Sequence, residues 1–452
     1  MKNIFESKKS QILAVIFTGA VMIALDGSTV SPILYPLKTA FGVSEGIISW
    51  AINIEVLFLL IFTPIIAKMA DYIGRKKIYL LCTSSFIAGL LVIFLSQSFE
   101  FFLIGRALQG IGAGISVLAI VLIGDHFTEN RGTVLGVFGV IISLVYAAGP
   151  LIAGFLINFD WHWVFAVNIP VALVLIFLAY KLLPADSGIS GKNTIDWKGI
   201  IALSLAIAAF AIFITEFSSS LFSPGAVILL AVMIVSLFLF LKFERSSGEK
   251  ILPLSMLKRK NPLIASILTL LGYTAGAGTY FLSTFAIMAF GLSDSAGAYI
   301  LLPFTVASLL ATLAVGKLLD KTGPRPIMLA GGLISAAGMF ILGISGSIYT
   351  FILSIILIGI GNASIAGNAL YYLMLHESGE KDRASAQGLL NVLLNAGSLI
   401  GGALLGAAFN SASGGTGNYR ITYVVLAFVY IGLAIIVTRL KQDKIIKAPA
   451  NG

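Results

Sequence analysis

Residues 21–36 read VMIALDGSTVSPILYP, and one carboxylate, Asp26, stands inside a run that is otherwise apolar or weakly polar. A lone acid in apolar surroundings is costly unless something balances it. The rest of the chain says what those surroundings are. Of 452 residues, 58% are hydrophobic and 11% are charged, and the mean hydropathy is +1.02. Soluble domains carry roughly 25% charged residues. Long apolar stretches recur from end to end, so an all-α polytopic membrane protein is expected, helical because lipid cannot satisfy an open backbone. Asp26 then lies within a membrane span, where an ionisable residue is by default a candidate for function.

Fourteen apolar segments, from 11–35 at one end to 420–440 at the other, are long enough to cross a bilayer, which takes about 20 residues. The seventh and eighth are joined by SLFSPGA (220–226) and read as a transmembrane or a peripheral hairpin. With the N-terminus in the cytoplasm and the helices alternating, the 29 lysines and arginines fall on the cytoplasmic side except Lys38, Arg420 and the intramembrane Arg106. This positive-inside pattern puts both termini in the cytoplasm. The net charge of +9 then reports topology, and no nucleic-acid partner is expected. The basic segment MKNIFESKKSQ (1–11) precedes an apolar run too long for a signal-peptide core, so the first helix reads as retained.

Several function classes fall away. The single cysteine, Cys82, cannot form an intramolecular disulfide or a thiolate cluster, and His126, His162 and His376 sit in separate inter-span segments. No metal site and no cofactor are expected. A Gly-x-x-x-x-Gly-Lys-Ser/Thr string is missing, which argues against a self-contained ATP-driven pump. The loops are too short for a soluble catalytic domain, so an enzyme is not expected.

Two related strings lie between spans: AKMADYIGRKKIYL (67–80) and GKLLDKTGPRPIML (316–329). Each has Asp-x-x-Gly followed by arginine: Asp71, Gly74 and Arg75 in one, Asp320, Gly323 and Arg325 in the other. Glycine permits a tight turn, and an aspartate near a helix end can meet backbone N–H groups or a loop arginine. Together they read as a conformational latch, or, more plainly, as two basic turns.

Here the chain resembles the major facilitator superfamily, and within it the fourteen-helix drug:proton antiporter branch. The loop signature of that family appears as AKMADYIGRKK, with Ala67 for the leading glycine. The first-helix signature appears as LDGSTVSPILYP (25–36), the fourth-helix signature as RALQGIGAG (106–114), and the antiporter-associated one as GPLIAG (149–154), with Gly149, Pro150 and Gly154 kept and Ala153 replacing a glycine. WHWVFAVNIP (161–170) carries His162 where arginine is usual, and DWKGI (196–200) opens the extra hairpin. The resemblance covers essentially the whole chain. It implies a six-helix bundle over 1–185, linkers and an extra transmembrane hairpin over 186–255, and a second six-helix bundle over 256–452. It also implies a monomer in the cell membrane that exchanges a small-molecule substrate for protons.

The candidate site is a constellation inside the first bundle. If helix one ends near Tyr35, Asp26 lies roughly 13 Å below the outer boundary, Glu55 roughly 12 Å and Arg106 roughly 8 Å. Burial favours a neutral carboxyl and a nearby arginine a charged one. That balance lets a carboxylate trade a proton for a cationic substrate. Asp26, Glu55 and Arg106 are the expected carriers, with Asn53 and Gln109 as polar neighbours. Glu55 stands where relatives of this branch tend to have an uncharged aromatic. Structural readings stand beside these: Asp26 and Arg106 as a packing pair, Glu55 as a solvated residue of an outer funnel. Gly110, Gly112, Gly114, Gly136, Gly139, Gly149 and Gly154 are read as points of close helix approach, and Pro150 as a bend. Trp50, Tyr146, Phe281, Phe285 and Tyr371 are candidates for an apolar surface facing lipophilic cations, or for lipid contact. The alternative to drug export is transport of a physiological metabolite, lipid precursor or osmolyte.

Overall fold

A computed structural model of the chain describes residues 8–127, 131–185, 197–219, 224–246, 254–377, 383–409 and 415–440. Among these residues, thirteen helical spans are long and apolar enough to cross a membrane. In chain order the first six are α1 (Lys8–Phe41), α2 (Glu45–Ala70), α3 (Arg75–Phe94), α4 (Phe99–Gly124), α5 (Gly136–Leu156) and α6 (Trp161–Leu182). Next comes a hairpin of α7 (Trp197–Ser219) and α8 (Pro224–Phe243). The last six are α9 (Lys260–Phe290), α10 (Asp294–Leu319), α11 (Pro324–Gly343), α12 (Ile348–Met374), α13 (Ala386–Phe409) and α14 (Gly417–Thr438). Helix α7 is the one outside the thirteen; its described apolar stretch, Trp197–Phe210, is shorter than a crossing. The linker at 186–196, the turn at 220–223 and residues 247–253 lie outside the described residues.

Local chemistry differs at the two ends of the helices. At the end away from the basic loops, α2, α4, α6, α10 and α12 start on Ser44, Ser98, Asp160, Ser293 and Ser347, whose side chains accept first-turn backbone N–H groups. These caps satisfy donors that a helix start leaves bare. At both ends glycines make the turns: Gly42 (φ 64°) and Gly291 (φ 63°) just before two of these caps, and Gly74 (φ 117°) and Gly323 (φ 75°) at the basic end, in a backbone region that side chains with a Cβ avoid.

The first six and the last six spans repeat one packing scheme. Helix α3 packs on α4 and α6 as α11 packs on α12 and α14, and α1 packs on α5 as α9 packs on α13. The breaks repeat too. Helix α1 is interrupted by a 3-10 turn at Ser31–Ile33 and α9 by another at Ala277–Phe281. Pro32 fits that turn because the first positions of a helix need no N–H donor. The turn carries α1 on to Phe41, so the expected end near Tyr35 is corrected, and Asp26 lies near mid-span.

These two turns meet across the molecule. Ser31 Oγ donates to Tyr280 O at 3.0 Å, and Ser283 Oγ donates to Pro32 O at 2.9 Å and to Gly297 O at 2.7 Å. The carbonyls released by each break are thus taken up by the other set's hydroxyls. Around this seal, Gly154 lies against the Tyr299 ring and Gly406 against Ser49. Toward the basic end the two sets separate. Gly136 and Gly139, read from the sequence as points of close approach, face open space, as do Gly316 and Gly388. Between the sets lies a cavity of about 550 Å³ that both sets line.

Each hydroxyl-to-carbonyl bond in the seal contributes about 1 kcal/mol, or about a fivefold bias per bond in the ratio of closed to open forms. In a Cys82→Ser background with Ser49→Cys as reporter, Ser31→Ala or Ser283→Ala is expected to speed maleimide labelling several-fold in detergent solution. Unchanged labelling would mean that packing alone holds the seal.

Candidate functional site

The site forms where α1, α2 and α4 converge. Arg106 on α4 is 1% exposed and reaches three elements at once. Its Nε donates to Ala51 O at 2.8 Å and its Nη1 to Asp26 Oδ2 at 2.7 Å and Gln109 Oε1 at 2.8 Å, while Nη2 donates to Glu55 Oε2. Gln109, one turn along α4, returns a bond from Nε2 to Asp26 Oδ1 at 2.8 Å. Both Asp26 oxygens are therefore bonded, and Asp26 is 3% exposed. The guanidinium also stands 5.8 Å from the Phe165 ring of α6.

Packing makes this reach possible. Gly110 abuts the backbone carbonyl of Glu55, and a side chain there would drive α4 away from α2. Gly149 of α5 lies against Ser28 of α1 in the same way. Asn168 Nδ2 donates to Met22 O at 2.9 Å and ties α6 to α1 one turn before Asp26. The acid is thus bonded by α4, and the helix segment that carries it is held by α5 and α6.

The charges do not cancel. One guanidinium faces two carboxyl groups, so the cluster carries one excess negative charge when both are ionised. In a low-dielectric site such an excess is expensive and is relieved by a cation. The two carboxyls differ in access. Asp26 is sealed, whereas the Glu55 side chain is 14% exposed and lines the cavity. Among the described residues, Glu55 is the one acid on the cavity wall and Arg106 the one base.

The remaining sequence candidates divide. Asn53 does not join the cluster: neither of its buried side-chain polar atoms has a hydrogen-bond partner, and it packs against Gly402 of α13. Pro150 and Tyr146 line the cavity, while Phe281 and Phe285 are buried in the core and face no substrate space. Tyr371 donates to Asn391 Oδ1 at 2.9 Å. Tyr273, Tyr280 and Phe304, which the sequence reading passed over, line the cavity from α9 and α10. Tyr273 precedes the 3-10 break of α9 and Tyr280 lies within it, so plain helical periodicity does not bring the pair together and no signal in the sequence marks it.

The side chains of Asp71 and Asp320 lie outside the described residues. Of the two loops around them, Lys76 Nζ donates to Leu183 O at 2.9 Å and Arg325 Nη2 to Thr438 O at 2.9 Å. Each cation caps the carbonyl end of a helix in its own six-helix set, α6 and α14 respectively, where the helix dipole favours positive charge.

Comparison with known proteins agrees with this architecture. A sequence profile described as Major Facilitator Superfamily matches residues 16–309 and 265–451. The chain is 30% identical over 418 residues to the "Uncharacterized MFS-type transporter YfiU" of Bacillus subtilis (strain 168), covering 88% of this chain and 79% of that one. It is 26% identical over 429 residues to the "Multidrug transporter protein MdtP" of the same organism, covering 90% and 77%. A solved D-xylose-proton symporter superposes with a TM-score of 0.69 at 16% identity over 94% of this chain and 97% of its own, which speaks for the fold alone. Helical spans, repeated packing around a central cavity and the profile match converge, and the chain belongs to the major facilitator superfamily, as a multi-pass membrane transporter with multidrug-type relatives.

Proposed function

We propose that the protein is a proton-coupled antiporter that exports amphipathic cationic compounds by alternating access. The observation that carries this reading is the unbalanced cluster: Arg106 bonds both Asp26 and Glu55, and Glu55 alone of the two opens onto the cavity. A proton on a carboxyl group relieves the excess charge. So does a substrate cation beside Glu55. The two cannot both be favoured, because each removes the charge that attracts the other, and that competition is the coupling of an antiporter. Arg106 stays protonated in proteins and carries no exchanged proton; it holds the two acids together. The aromatic wall of Tyr146, Tyr273, Tyr280 and Phe304 suits an apolar body and, through the ring faces, a positive charge.

In this reading the fourteen helices comprise six-helix bundles over 1–185 and 256–452 with the transmembrane hairpin within 186–255. Both termini lie in the cytoplasm of a cell whose plasma membrane holds the protein as a monomer. The cavity is then open to the cytoplasm, and the Ser31–Ser283 seal closes the outer side. Asp71, Gly74 and Arg75, with Asp320, Gly323 and Arg325, act as the cytoplasmic latch of the opposite state, and Gly149, Pro150 and Gly154 let α5 slide and bend against α1 and α10.

Two variants test the cluster in proteoliposomes under an imposed pH gradient. Asp26→Asn keeps the shape of the side chain and removes its titration, and it is expected to abolish gradient-driven transport while the protein stays monodisperse in detergent. Normal transport by this variant would remove Asp26 from the coupling. Glu55→Gln neutralises the cavity-facing charge. It is expected to weaken binding of a cation by at least about tenfold, equivalent to 1.4 kcal/mol, with a neutral amphipath affected much less. Equal loss for both would make Glu55 a folding or coupling residue and leave substrate charge to another group.

A further inference from the structure

A cavity between two helix sets has two lateral seams, and here they are built differently. One seam runs between α5 and α10. It is zipped at the end away from the basic loops, where Gly154 lies against Tyr299 and Thr305 Oγ1 donates to Ala147 O at 3.4 Å. Farther along, Gly136 and Gly139 on α5 and Gly316 on α10 have no neighbour within 4 Å of a would-be Cβ. The distance from Ala147 to Gly139 along the helix is roughly 12 Å, close to the depth of one leaflet's hydrocarbon. The edges of this gap are apolar: Val140, Leu144 and Leu313 are each nearly half exposed or more. Behind them, Tyr146 on α5 and Ser308 and Thr312 on α10 belong to the cavity wall.

The other seam runs between α2 and α13. Its zipped end has the same design, with Gly406 against Ser49 and Gly402 against Asn53. Its far end also faces open space, at Gly388 of α13, but between that point and the zipped end, over the stretch from Ala147 to Gly139 in the first seam, this one is filled. Helix α7 packs on both α2 and α13. Ser204 Oγ of α7 donates to Ile61 O of α2 at 3.5 Å. Ile207 of α7 covers a buried pair, Leu57 of α2 and Leu399 of α13.

We propose that the α7–α8 hairpin makes the lateral route into the cavity one-sided: a membrane-dissolved amphipathic cation passes between α5 and α10 from the leaflet on the basic-loop side, while α7 seals the seam between α2 and α13. The apolar edges accept the tail of such a compound while it is still dissolved in lipid. Its charged head then has Glu55, the one acid on the cavity wall among the described residues, ahead of it. Partitioning concentrates such compounds in the bilayer, so a lateral route draws on a larger local supply than the aqueous mouth does. The nature of the cargo rests on the transport reading above; the one-sidedness of the seams does not.

The test uses the full-length protein in a Cys82→Ser background, with a fluorophore on Thr312→Cys behind the open seam or on Leu59→Cys behind the filled one. Reconstitution is into phosphatidylcholine vesicles containing lipid with a spin label on the acyl chain. Acyl chains are expected to quench the Thr312 position several-fold more than the Leu59 position. Adding Ile207→Ala is expected to raise quenching at Leu59 and leave Thr312 unchanged. Equal quenching at both sites, or none at either, would overturn the proposal. A second measurement uses Gly139→Trp, at a position where a Cβ meets nothing within 4 Å: uptake of tetraphenylphosphonium should fall at least several-fold while uptake of a small hydrophilic cation is unaffected. Equal loss for both cations would also overturn it. Asymmetric quenching in a protein that moves neither cation would sink the transport reading and leave the seam assignment standing.

Discussion

One arginine between two carboxyl groups organises the first half of this protein. Arg106 is almost fully buried and bonds Asp26, Glu55, Gln109 and the Ala51 carbonyl. Removing one partner of such a buried charge typically costs about 3–5 kcal/mol, so α1, α2 and α4 must keep their relative placement for the site to exist. The glycines at 110 and 149 serve that placement by letting backbones approach where any side chain would separate them. The same arrangement leaves one negative charge uncompensated when both acids are ionised, and the proposed coupling rests on that imbalance.

The rest of the fold supplies a cavity beside that charge and a way to close it on one side. The matching 3-10 breaks in α1 and α9 do both. A break releases backbone carbonyls that lipid cannot satisfy, and here Ser31 and Ser283 from opposite sets take them up. The seal therefore consists of a few directional bonds and small-residue contacts, with no ion pair in the bonds between its two turns. A closure of that strength can open at modest cost. The basic loops at the other end are used differently. Lys76 and Arg325 brace helices within their own set.

The hairpin changes the symmetry. Without α7 the two seams would be near equivalents under the repeat that relates the two sets. With it, one seam is packed with Ile207 and Ser204 and the other keeps an apolar gap. An insertion between two repeats thus differentiates two otherwise similar faces of the cavity.

Much of this was legible in the chain. Apolar length marked out thirteen of the fourteen expected spans, because a helix must cross about 30 Å of hydrocarbon whatever it packs against. Charge asymmetry determined the expected orientation, and the strings at 67–80 and 316–329 disclosed the repeat. Asp26, Glu55 and Arg106 stood out because charge inside an apolar run has few explanations other than a partner or a function. The sequence was silent where the outcome depends on which faces of distant helices meet. It could not say that Asn53 turns toward Gly402 and away from the cluster, that Phe281 and Phe285 are core, or that Gly136 and Gly139 face open space while Gly149 and Gly154 are in contact. It could not tell the sealed acid from the accessible one. Helix periodicity tells which residues share a face; only the packing of six helices around a common axis decides whether that face meets protein, cavity or lipid.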